Sequence, residues 1–178
     1  MTRSLLTLLS LFFPGFLFAQ YYNGRIRVDS ADRSYIFKIT DKKRSTSRFR
    51  YYYWFKSGRI HQSQGSYYGK LLNGAYKVVD RDRHLLEEGY FKKGRKAGLW
   101  RTWYESGRLK STWRRRFWFI GSSYNIREYD SNGITTKSGY ENKGRFTGSQ
   151  VEWVNDTARI VRYKNGMALP DKTSTTAK

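Results

Sequence analysis

GLWRTWYESGRLKSTW, residues 98–113, decides the fold. Trp100, Thr102 and Tyr104 alternate with Arg101 and Trp103, which puts one side chain on each face of a strand in turn. Glu105–Ser106–Gly107–Arg108 is a polar turn, and Leu109 to Trp113 carries the chain back. The same hairpin recurs. Ile60, Leu85, Leu109, Ile134 and Ile160 each close a similar turn, at steps of 25, 24, 25 and 26 residues. Gly69, Gly94, Gly121, Gly144 and Gly166 form a second series, at steps of 25, 27, 23 and 22. Two independent series that share a period of about 24 residues mark a tandem repeat.

Each unit therefore carries two turns. One is the short polar turn. The other is expected to be wider and to hold paired glycines: Gly69 and Gly74, Gly94 and Gly98, Gly144 and Gly148. Asn-Gly at 73–74, 132–133 and 165–166 suits positive-φ hairpin turns. Between turns, Tyr76, Val78 and Asp80 alternate with Lys77, Val79 and Arg81, again with period two. No window has helical periodicity. The fold class is all-β: tandem β-hairpin repeats of about 24 residues in an elongated antiparallel meander sheet. Stacked units are expected to share their faces, with the rings packing between neighbours. Arg83 and Thr157 stand where related turns carry glycine, and Trp113 stands where Gly89 and Gly139 suggest one.

The array does not fill the chain. Met1–Thr2–Arg3, the apolar run LLTLLSLFFPGFLF and Ala19 read as a secretory signal cut before Gln20, so residues 1–19 are assigned as a signal peptide. Pro14–Gly15 argues against a spanning helix. Residues 20–50 form an N-terminal β cap and a basic connection: strands at Arg25–Val28 and Tyr35–Ile39, a turn at Asp29–Arg33, then KKRSTSRFR over 42–50. Residues 51–169 hold about five units, and 170–178 is a polar tail expected to be disordered.

The formal net charge is +21, and only Arg3 of the excess lies in the signal segment. Such a balance seeks polyanions. With no cysteine there is no disulfide and no thiolate metal site. Fifteen Tyr, eleven Phe and six Trp supply the apolar surface, and the two prolines, Pro14 and Pro170, lie outside the array.

GYFKKGRKAGLW (89–100) and residues 98–113 resemble the MORN-repeat variant: glycine, aromatic, a tyrosine strand, a glycine turn, a leucine, then an aromatic. The resemblance is best over 52–113 and returns at 124–148. It implies a non-enzymatic interaction module. Bacterial members are often labelled antitoxin-like, and eukaryotic ones are linked to membranes and scaffolding.

Catalytic constellations are missing. There is no cysteine nucleophile, no GxSxG and no GK[ST] loop, and His61 and His84 sit beside turns. Asp80, Asp82, His84, Glu87 and Glu88 form the one acidic cluster, but Arg81 and Arg83 interleave with it; local charge pairing is the reading, with no metal and no cofactor. Alternation is expected to place Asp80, Asp82 and His84 on one face and the arginines on the other.

Interleaved cations and rings are the feature that suggests binding. Arg114, Arg115 and Arg116 precede Phe117, Trp118 and Phe119; Lys92, Lys93, Arg95 and Lys96 ring a turn beside Tyr90 and Phe91. These cations and Trp118 are the expected contacts to an anionic lipid or glycan surface of the envelope, or to a protein partner. The competing reading is a cytoplasmic antitoxin-like or nucleic-acid-binding regulator; a mature start at Gln20 separates the two.

Overall fold

The computed structural model describes residues 20–22, 24–115, 123–154 and 157–170. Residues 1–19, which the sequence reading assigns to a signal peptide, residues 171–178 of the tail, Arg116 and Trp118 lie outside them. The described residues form one antiparallel sheet of fourteen strands with no helix. The strands are β1 Gln20–Tyr22, β2 Arg25–Asp29, β3 Arg33–Thr40, β4 Tyr51–Lys56, β5 Arg59–Gln64, β6 Lys70–Asp80 and β7 Leu85–Lys92. They continue as β8 Arg95–Trp103, β9 Leu109–Arg115, β10 Ser123–Tyr129, β11 Thr135–Asn142, β12 Arg145–Val154, β13 Thr157–Lys164 and β14 Met167–Ala168.

From β6 onward each strand pairs with the next, so the expected meander is present. The two turn types are also present, with their widths reversed. Asp80–His84, Tyr104–Arg108 and Asp130–Ile134 are one five-residue turn repeated. In each, the first N–H donates to the fifth carbonyl and the fourth N–H donates to the first carbonyl. The fourth residue has positive φ: Arg83 at 68°, Gly107 at 79° and Gly133 at 88°. Arg83 thus occupies the glycine position in a conformation that costs a side chain roughly 1–2 kcal/mol. The turns of the second series, Lys93–Gly94, Lys143–Gly144 and Asn165–Gly166, are the tight ones, with positive φ at both positions as a two-residue hairpin requires; Ser57–Gly58, of the polar series, is tight in the same way and is the exception to the reversal.

The second glycine of each expected pair lies in a strand instead: Gly74 in β6, Gly98 in β8 and Gly148 in β12. Asn73–Gly74 is likewise strand, and Asn132–Gly133 belongs to the wider turn. Thr157 is the first residue of β13, opposite Val154, so it replaces no turn glycine.

The larger departure is the β4–β5 hairpin. It stands off the meander path, and β3 pairs with β6 directly. β6 holds β7 through Gly74–Val79, while Lys70 and Leu71 at its start hold Phe55 and Trp54 of β4. The hairpin packs on the sheet face: Tyr53, Phe55 and Ile60 rest on the buried cluster Ile26, Phe37, Leu72, Tyr76, Val78, Phe91 and Trp100. The other face of β4 is buried too, where Tyr52 and Trp54 meet Leu71 and Tyr67. The core therefore sits between this hairpin and the strands from β2 to β8.

Units lie side by side in one sheet, and their faces are not stacked. Beyond β9 only Val161 is buried among the described hydrophobic residues, and Trp153, Ile160 and Met167 stand about 70% exposed. A single sheet buries a face only where something covers it, and here that cover is the β4–β5 hairpin.

A row of side chains crosses the sheet: Tyr76, Gly89, Trp100, Trp113, Ile126, Gly139, Gly148 and Tyr163. Trp113 fills the position where Gly89 and Gly139 sit because it stacks on Trp100, at 5.5 Å and 7°. Between Glu88↔Arg101 and Tyr90↔Ala97, Gly89 alone faces Gly98, Leu99 and Trp100. This bulge seats the indole on the bare glycine backbone.

Candidate functional site

The connection over 41–50 is not a free linker. Arg44 N–H donates to the Tyr67 hydroxyl at 2.9 Å, and Ser47 N–H donates to that of Tyr52 at 2.9 Å. The Arg44 guanidinium donates to the carbonyls of Lys92 and Lys93, at 3.1 and 3.2 Å. The Lys93–Gly94 turn is clamped from two more sides. Gly94 N–H donates to Leu72 O at 2.7 Å, and Tyr53 N–H donates to Gly94 O at 2.8 Å. A Cβ on Gly94 would stand 2.5 Å from Leu71 Cδ2, so glycine is required there for space as well as for φ.

These clamps bring the connection and β4 against β8, β9 and β10. The result is a cleft of about 230 Å³ lined by Phe49, Arg50, Tyr51, Tyr53, Arg95, Lys96, Trp113, Arg115 and Tyr124. In its wall Tyr124 stands edge-on to Trp113 at 5.5 Å, and Trp113 is backed by the buried Trp100, on which it stacks. Three arginines, Arg50, Arg95 and Arg115, line it. Among the described residues, no carboxylate forms an ion pair with any of them.

The electrostatics follow. Partial burial, and then the neighbouring charges of Arg115, Arg50 and Arg44, pull the Arg95 guanidinium down to about 10. It remains cationic at neutral pH, in a site that repels it. A bound anion relieves that repulsion. Burial, reinforced by Glu87, pushes the Tyr53 phenol up, so it stays neutral and presents an O–H.

The residues selected from sequence scatter around this cleft. Arg95 and Arg115 line it. Lys96 also lines it, but its charge is engaged: Nζ sits 2.9 Å from Glu87 Oε1 and 3.9 Å from the centre of the Trp100 ring. Lys92 and Lys93 are exposed at the turn. Arg114 lies on the opposite face, between Leu99 and Asn125. Arg116 and Trp118 lie outside the described residues.

Phe49, Arg50, Tyr51, Tyr53, Trp113 and Tyr124 were missed as site residues. RFRY over 48–51 places cations beside rings, as 114–119 does in two blocks, and is the signal that points to them. Arg48 in that run sits over the Phe49 ring at 4.7 Å.

The acidic residues do not form one face. Asp80 caps its turn: Oδ1 accepts His84 N–H at 2.8 Å, and Oδ2 lies 3.0 Å from His84 Nδ1. Asp130 does the same, accepting from Asn132 N–H at 2.9 Å and Ile134 N–H at 2.8 Å. The expected alternation fails because residues 81–84 form the turn itself. Asp80, Asp82 and His84 place ligand atoms within 4.8 Å of one another. Glu87 and Glu88 point elsewhere, to Lys96 and Arg101.

No family model matches the chain, and no curated protein or solved structure is similar to it.

Proposed function

We propose that this chain is an exported, non-enzymatic binding module that grips an anionic envelope component, or an acidic partner protein there, in the Arg50–Arg95–Arg115 cleft. The observation that carries this reading is the set of three arginines, none in an ion pair among the described residues, around one ring-lined cavity. Guanidinium forks match phosphate and carboxylate oxygens, and rings beside them hold the apolar part of a ligand. The excess of cations adds long-range attraction. The export reading rests on the leader-like first nineteen residues. The repeat period and the paired turn types support reading the array as MORN-type, an interaction surface whose strands carry no chemistry of their own.

Net charge alone also attracts anions, so the test holds it constant. One variant carries Arg50→Gln, Arg95→Gln and Arg115→Gln. The control carries Arg127→Gln, Arg145→Gln and Arg162→Gln. Each cation near an anionic surface contributes about 1 kcal/mol, so the cleft variant is expected to lose about a hundredfold in retention on phosphatidylglycerol vesicles. The control is expected to lose much less. Equal losses in the two variants would reduce the site to bulk charge and remove the cleft from the account.

A further inference from the structure

A second cavity adjoins the cleft. It lies beneath the β4–β5 hairpin, has a volume of about 700 Å³, and is lined mainly by apolar groups that include Val28, Tyr35, Ile60, Leu72 and Phe91. That volume is within the roughly 300–1,000 Å³ of small-molecule sites. Tyr53 and Lys96 line both cavities, so the apolar chamber and the arginine cleft meet at these two side chains. The charge at that meeting point is already neutralised, because Lys96 pairs with Glu87. Three of the arginines that form no ion pair among the described residues, Arg50, Arg95 and Arg115, stand on the cleft side. Arg59 is the one arginine that lines the chamber itself.

We propose that the protein holds a single anionic amphiphile, its hydrocarbon chain in the chamber beneath the β4–β5 hairpin and its phosphate or carboxylate head against Arg50, Arg95 and Arg115. This rests on reading the cleft as an anion site and adds the chain to it. A surface-only anion site needs no chamber, and a purely apolar ligand needs no guanidiniums. Their shared lining at Tyr53 and Lys96 is what places the two side by side as one site.

Monoalkyl phosphates are the probes, titrated below their micelle concentration by calorimetry: octyl, decyl and dodecyl phosphate, with inorganic phosphate and dodecyl maltoside as partial ligands. Burial of each methylene is expected to tighten binding about fourfold. Ile60→Trp, which fills the chamber from the hairpin side, is expected to flatten that chain-length series while leaving inorganic phosphate binding unchanged. Arg95→Gln is expected to weaken every phosphate about tenfold and to keep the slope with chain length. Thermal melts of both variants establish that they fold. A dodecyl phosphate affinity no better than that of inorganic phosphate would overturn the chamber and leave the anion cleft standing. A slope that survives Ile60→Trp would place the chain elsewhere and overturn the proposal. So would a loss on Arg59→Gln with none on Arg95→Gln, because the head would then sit at the wrong mouth. Binding of dodecyl maltoside as tight as that of dodecyl phosphate would remove the cleft from the site, and with it the proposed function.

Discussion

Trp100→Ala is expected to cost about 3–5 kcal/mol, the range for deleting a large ring from a core. The side chain is wholly buried. It meets Tyr76 at 5.5 Å, Phe91 at 5.0 Å and Trp113 at 5.5 Å, and its Nε1–H donates to Ala97 O at 3.1 Å. It also carries Lys96 on its face and covers the backbone of Gly89. Among the described residues only the β4–β5 hairpin covers the sheet here, so neighbours have little with which to refill the space. A domain of ordinary stability has about 5–15 kcal/mol in total, so the loss removes a large share. Urea unfolding is the measurement: the midpoint falls and the slope is kept. A cost below about 1 kcal/mol would mean that the ring row is not the core.

Gly89→Ala is expected to be harmful for the opposite reason. An alanine Cβ there would lie 2.2 to 2.6 Å from three atoms of the Trp100 ring. The indole cannot retreat, because Phe91, Tyr76 and Trp113 hold it on its other sides. Overpacking of this kind costs about 1–3 kcal/mol, although an alanine in a strand without the clash would gain roughly 0.5–1 kcal/mol over glycine. The double variant discriminates. With Trp100 already replaced by alanine, Gly89→Ala is expected to be neutral or stabilising, because the added methyl enters vacated space. A coupling of opposite sign to the single cost is thus expected in the cycle. Strict additivity would show that glycine is needed at position 89 for a reason other than the indole.

The strands and the positions of most turns, though not the turn widths, were legible in the sequence, because period-two alternation and turn residues are local signals. Arg25–Val28 and Tyr35–Ile39 fall within β2 and β3, and Trp100–Thr102 alternates as read. The position of the β4–β5 hairpin was not legible from the repeat. A hairpin looks the same in sequence whether it continues a meander or folds across its face. YYYWFK over 51–56 nevertheless carried a signal of its own: rings at successive positions mean a strand covered on both faces. That is the environment of Tyr52 and Trp54 on one side and Tyr53 and Phe55 on the other.

The site was half legible for a similar reason. Arg95 and Arg115 stand in basic runs that composition picks out. Arg50 joins them only through long-range contacts, such as Arg44 on the Lys92 and Lys93 carbonyls, which no local pattern encodes. Lys96 looked like its neighbours in sequence. Its capture by Glu87 depends on β7 and β8 lying side by side, where the bulge at Gly89 sets the offset between them.

The central claim is that a few defined residues, and not the charge of the whole surface, hold the anion. Amide and indole resonances followed while inorganic phosphate is titrated in at fixed ionic strength test it directly. Saturable shifts confined to the Trp113 indole and the amides around Arg50, Arg95, Arg115 and Tyr124 are expected. Weak shifts spread over lysines and arginines on both faces, rising without saturation, would contradict it.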